Sequence, residues 1–166
     1  MTKSHKFWVK ETINNNRNLK LAALYHPVDR HSLVIVCHGF TGSKEGGGRA
    51  LEMGNHLAAI GYSTLLFDFA GSGESEGNWS DLTLSGQVED LRSVIQWSRS
   101  EGYTRIVLNG RSFGGSTALI AAATDPQIYA LCTWAALARP VEFFQPYLDV
   151  NSSICDDDLI ALKNYQ

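Results

Sequence analysis

The stretch Arg105-Ile-Val-Leu-Asn-Gly110-Arg-Ser112-Phe-Gly114-Gly115-Ser-Thr-Ala-Leu-Ile-Ala-Ala-Ala-Thr124 decides the fold. Its opening apolar run, Arg105 to Leu108, is too short for a helix and reads as a strand covered on both faces. The alanine-rich segment beginning just after Ser112 reads as a helix closed by Asp125-Pro126. Between the two stands a serine with a glycine two positions away on either side. A sharp strand-to-helix turn forces its central residue into a strained backbone, so its neighbours must be very small. That turn holds a serine hydroxyl above a sheet at a helix N-terminus, where the partial positive charge favours a developing oxyanion. A plain glycine turn has no need of glycine on both flanks.

Outward from this stretch, three more apolar runs stand out: Leu33 to Cys37, Thr64 to Phe67 and Tyr129 to Trp134. They do not alternate, which predicts a parallel sheet flanked by helices on both faces. Leu84, Val88, Leu91 and Ile95 form one stripe of a helix over Thr83 to Ser98. Arg49 to Ile60 reads as another helix, with Leu51, Met53, Leu57 and Ile60. Both stop at Gly-Tyr (Gly61-Tyr62 and Gly102-Tyr103), a left-handed cap before the next strand. Strand and helix therefore alternate, as in βαβ crossovers. Ahead of them, Phe7 to Ile13 and Leu19 to Tyr25 flank a turn-prone Asn14-Asn-Asn-Arg-Asn18, which is a hairpin signal. Residues 1–140 read as one core, and 141–166, with Phe143, Phe144, Tyr147 and Leu148, as the start of a cap or helical tail.

Composition narrows the class. A chain of 166 residues suits one domain, and 44% hydrophobic with 19% charged residues is ordinary globular usage. Its 14 basic and 17 acidic residues give a net charge of −3, which offers no basic excess for nucleic acid. Cys37, Cys132 and Cys155 form no Cys-x-x-Cys pair. Cys37 and Cys132 lie in apolar runs and read as buried, inert thiols. The histidines (His5, His26, His31, His38 and His56) lack metal-ligand spacing, so no metal or other cofactor is expected. Gly71-Ser-Gly73-Glu-Ser-Glu76 lacks the third glycine of a dinucleotide fingerprint, and no phosphate-binding G-x-x-x-x-G-K-[ST] occurs. Without a secretory apolar stretch or a membrane span, the expected compartment is the cytoplasm.

A second signal, His38-Gly39-Phe40-Thr-Gly42, leaves the first apolar strand. In acyl-transfer enzymes of this architecture one oxyanion donor is the N–H after the nucleophile, here Phe113. The other comes from this loop, here Phe40. His38 reads as a structural residue tying the loop. With Phe67-Asp-Phe-Ala-Gly-Ser-Gly-Glu-Ser75 after the next strand, the chain resembles the α/β-hydrolase superfamily over Leu19 to Pro140. Within it, the chain looks like the serine esterase and serine aminopeptidase-like branch that includes the cinnamoyl and feruloyl esterases. The resemblance implies metal-independent hydrolysis of small ester or amide substrates through an acyl-enzyme on Ser112. Phe40 and Phe113 would form the oxyanion hole, supported by His38, Gly39, Gly110 and Gly114, with Asp68 organising a loop.

The superfamily orders its triad serine, acid, histidine. No histidine follows Ser112, and about six of the usual eight strands are present, so the chain is expected to be C-terminally incomplete. Glu142 is a minor candidate for an acid of less usual placement; Asp149 and Asp156 to Asp158 read as solvated. Two functions stay open: the N-terminal part of a serine hydrolase, or a hydrolase-like protein that binds without turnover. Tyr129 to Ala136 carries no charge or proline, so as an edge strand it would invite self-association.

Overall fold

Strand β3 (Ser32–Cys37) lies near the middle of a six-stranded sheet. Its neighbours β4 (Ser63–Phe67) and β5 (Arg105–Arg111) both run parallel to it. The full order is β1-β2-β4-β3-β5-β6, with β1 (Val9–Asn14) and β2 (Lys20–His26) joined antiparallel and β6 (Ile128–Trp134) parallel to β5. This computed structural model describes residues 8–140 together with Glu142, Phe143 and Gln145. The proposed cap or tail, Asp149, Cys155 and Asp156 to Asp158 lie outside the described residues, as does Phe7.

The apolar runs become strands because both faces of the central ones are dry. One cluster joins Leu33, Ile35 and Cys37 of β3 to Leu91, Val94 and Ile95 of α2 (Leu84–Ser100) and to Ala118 and Ala121 of α3 (Phe113–Thr124). On the other face, Leu24 and Leu66 pack with Leu51 of α1 (Arg49–Ala59). Helix α2 starts where Thr83 accepts a hydrogen bond from the Gly86 N–H at 3.0 Å. Helices α1 and α2 end at Gly61 (φ 91°) and Gly102 (φ 96°), the left-handed caps expected.

One expectation fails. Cys37 is buried, and burial raises its thiol pKa. Cys132 is exposed. Its strand β6 is the edge of the sheet, with Tyr129 65% and Trp134 55% exposed. An apolar run signals a strand but not whether other elements cover it.

The hairpin is bound to the core through Asp90 of α2, only 1% exposed. Its carboxylate accepts from Asn15 Nδ2 (2.7 Å), from the Arg17 guanidinium (2.7 Å) and from the Ala70 N–H (2.9 Å). It thereby ties the β1–β2 turn and the loop after β4 to one helix. Asp90→Ala should lower unfolding free energy by about 3 kcal/mol, because it leaves buried donors without acceptors. Denaturant unfolding measures it; a loss under about 1 kcal/mol would show that these contacts contribute little.

Candidate active site

The sheet delivers Ser112 to a corner. Strand β5 ends at Arg111, helix α3 begins at Phe113, and Ser112 between them adopts φ 52° and ψ −123°. A non-glycine residue held there costs about 1–3 kcal/mol and persists only when its surroundings over-determine it. Here they do. The Ser112 N–H donates to the Trp134 carbonyl at 2.8 Å, and its own carbonyl accepts from Gly115 (2.9 Å) and Ser116 (3.2 Å). The flanking glycines let the chain close. A Cβ at Gly110 would lie 2.5 Å from the Gly114 carbonyl oxygen. One at Gly114 would lie 2.5 Å from the Cys37 carbonyl oxygen and collide with that of His38.

Those contacts also show what packs against the turn: the start of the loop leaving β3. A Cβ on Gly39 would stand 3.4 Å from Ser112 Cβ and 4.0 Å from its Oγ, so this backbone passes beside the hydroxyl. The Gly42 N–H donates to the Gly39 carbonyl at 2.9 Å, closing a turn with Phe40 and Thr41 at its corner. The Phe40 ring meets the fully buried Phe113 ring edge-on at 5.8 Å and Trp79 at 5.3 Å. The structure thus brings Gly39, Phe40, Ser112 and Phe113 together. A cavity of about 440 Å³ opens alongside, bounded by His38, Gly39, Met53, Arg111 and Trp134 among others. Ser112 itself does not line it.

His38 is a structural tie. Its Nδ1 is 2.8 Å from the Gly39 carbonyl, and its Nε2 accepts the Phe69 N–H at 3.2 Å. That pair of contacts sets a neutral tautomer with the proton on Nδ1. Burial lowers its pKa, against the opposing pull of the Gly39 carbonyl and of Asp68. With both ring nitrogens engaged, the imidazole has no lone pair to offer Ser112. Among the described residues no imidazole hydrogen-bonds the Ser112 hydroxyl. Glu142 is exposed and pairs with Arg139 at 3.2 Å.

Asp68 is fully buried at the end of β4 and accepts the N–H of Lys44 (2.6 Å) and of Glu74 (3.0 Å). Lys44, also buried, escaped the sequence reading, as did Trp79. Burial works against the Lys44 charge, but its hydrogen bonds to Asp68 and Glu74 outweigh it and raise the pKa. Among the described residues no group of three or more His, Cys, Asp or Glu could hold a metal ion. Nor does any described helix have the length and apolarity to cross a membrane.

The family described as serine aminopeptidase, S33, matches residues 29–154, more than half of the chain. The chain belongs to this α/β-hydrolase family. A curated relative, an uncharacterized 31.7 kDa protein from the traX-finO intergenic region of Escherichia coli, is 35% identical over 113 residues. The quorum-quenching protein AidA of Acinetobacter baumannii is 32% identical over 116 residues. Each alignment covers 66% of this chain but 38% of the relative. The Butyrivibrio proteoclasticus protein Est1E, solved with ferulic acid bound, is 28% identical with a TM-score of 0.75, over 82% of this chain and 56% of its own. The chain thus spans less than two fifths of these curated relatives' length.

The imidazole environment of this hydrolase fold has a consequence for acid stability. Burial lowers the pKa of His38 and of His26, so the folded protein binds fewer protons than the unfolded chain. Their contribution is fully present above about pH 6.5 and is lost as pH falls below it. Unfolding free energy should therefore drop between about pH 7 and 5, and His38→Gln should flatten part of that slope. Denaturant midpoints across this range are the measurement; an unchanged slope in His38→Gln would contradict the assignment.

Proposed function

We propose that this chain carries the nucleophile and the oxyanion site of a serine hydrolase acting on carboxylic ester or amide bonds. The observation that carries the reading is Ser112, held at φ 52° between strand and helix with the Gly39 backbone beside its hydroxyl. Protein that only bound a ligand would have no use for a serine kept in a strained turn.

In this reading Ser112 Oγ attacks the substrate carbonyl carbon while a base takes its proton. The N–H groups of Phe40 and Phe113 receive the negative oxygen of the tetrahedral intermediate. The intermediate collapses, the carbon–oxygen or carbon–nitrogen bond breaks, and the alcohol or amine leaves with a proton. Water then attacks the acyl-serine and releases the acid. No metal or organic cofactor takes part.

His38 is not the base, because its Nε2 is committed to the Phe69 N–H. The acid and the histidine come from sequence outside this chain, consistent with relatives of which it spans 38%. The exposed edge of β6, whose Trp134 carbonyl already holds the Ser112 N–H, is where such a portion would pair. The ferulic acid bound to Est1E, a carboxylic acid of the kind that ester hydrolysis releases, favours an ester over a peptide.

Hydrolysis of p-nitrophenyl acetate tests the proposal. The 166-residue chain should turn over slowly or not at all. Loss of one triad member in a comparable hydrolase costs about 10⁶ in kcat, leaving about 10³ over water. A form extended to its relatives' length should hydrolyse the ester, and Ser112→Ala should remove that activity. Turnover that survives Ser112→Ala would refute the assignment.

A further inference from the structure

We infer that Lys44 is a positioning residue for the Phe40 loop, acting through Asp68; the inference rests on the oxyanion role proposed for that loop. Lys44 makes two contacts with one carboxylate: its N–H donates to Asp68 Oδ1 at 2.6 Å and its Nζ to Oδ2 at 2.8 Å. The same Nζ donates to Glu74 at 2.7 Å. The Lys44 side chain is 4% exposed and that of Asp68 0%.

A buried ion pair is weak evidence for stability, since apolar residues of similar volume often serve a fold as well or better. What it supplies is geometry. The loop is held at two points, and both fall on the same dipeptide at the end of β4. At its start His38 Nε2 takes the Phe69 N–H, and at its finish Lys44 clasps Asp68. The Gly39–Gly42 turn that presents Phe40 is suspended between them.

Beyond Lys44 the chain is steadied by backbone hydrogen bonds within its own turn, Gly46 N–H to the Ser43 carbonyl (3.0 Å) and Gly48 N–H to that of Glu45 (2.8 Å). Gly46, Gly47 and Gly48 all have positive φ, and a Cβ at Gly47 or Gly48 would meet nothing within 4 Å. Lys44 is the last side chain to tie the loop to β4 before this glycine turn. Asp68 is in turn fixed by the Glu74 N–H and by the close approach of Gly73, where a Cβ would lie 2.6 Å from Oδ1. Loss of the Lys44 side chain would leave the finish of the loop held only by the backbone N–H of residue 44 on Asp68 Oδ1, without the Nζ clasp on Oδ2 and Glu74. An oxyanion donor must sit within a few tenths of an ångström of its oxygen, and a misplacement of about 1 Å can cost about 10² in rate.

Backbone hydrogen exchange of the 166-residue chain reads the anchoring without any catalysis. Lys44→Met should speed exchange at Gly39 to Ser43 about tenfold or more, with α2 amides little changed. Asp68→Asn leaves Lys44 its Glu74 partner and avoids an unpaired buried carboxylate, so it serves as the second variant should Lys44→Met fail to fold. It should speed exchange in the same segment. Loop exchange unchanged in a folded variant, or raised equally throughout the protein, would overturn the inference.

In the extended form, Lys44→Met or Asp68→Asn should lower kcat about 10- to 100-fold with KM within about twofold. Unchanged kcat beside a loosened loop would also overturn it. Absence of any Ser112-dependent turnover in the unsubstituted extended form would instead defeat the proposed function, and the exchange data would still decide whether Lys44 anchors the loop.

Discussion

Everything around the candidate site depends on one backbone conformation, the φ of 52° at Ser112. A side chain in that region is crowded against its own carbonyl, and the chain adopts it only where its surroundings allow no alternative. Three features impose it. Strand β5 is fixed in register against β3, helix α3 packs beneath, and Gly110 and Gly114 let the two pass at distances no Cβ would tolerate. The same closeness sets the start of the Phe40 loop against the turn, since the carbonyls of Cys37 and His38 are what a Cβ on Gly114 would strike. The Ser112 turn and the Phe40 loop are thus one packing unit rather than two motifs.

A second constraint works outward from β4. Asp68 and Phe69, consecutive at its end, hold Lys44 and His38, and Asp90 holds the Ala70 N–H just beyond. Loops are normally the least stable parts of a domain. Here the segments that border Ser112 hang on buried carboxylates and a neutral imidazole. Burial holds the His38 imidazole in its neutral form, so acid should loosen the Phe40 loop at that tie. The opposite edge of the sheet is different in kind: β6 gives Ser112 a carbonyl partner but keeps apolar side chains in water.

Much of this was legible in the sequence. Central strands buried on both faces write themselves as unbroken apolar runs, and α2 shows its apolar stripe. The turn at Ser112 was legible because steric closure demands glycine at fixed offsets. What could not be read depends on distant partners. Lys44 looks like any solvated lysine until Asp68, 24 residues on, is seen to bury it. Asp90 lies next to Leu91 on α2, and its ligands sit 73 and 75 residues away in the hairpin. Trp79 gave no periodic signal, and Cys132 was misread because an apolar run does not reveal that its strand lies at an uncovered edge.

The central claim is that the serine held in this turn is a nucleophile. Covalent labelling with a fluorophosphonate, followed by mass spectrometry of the peptides, tests it most directly. In the form extended to its relatives' length, the account predicts a single adduct on Ser112, suppressed by competing ester. An adduct on another residue, or none while ester hydrolysis proceeds, would contradict it.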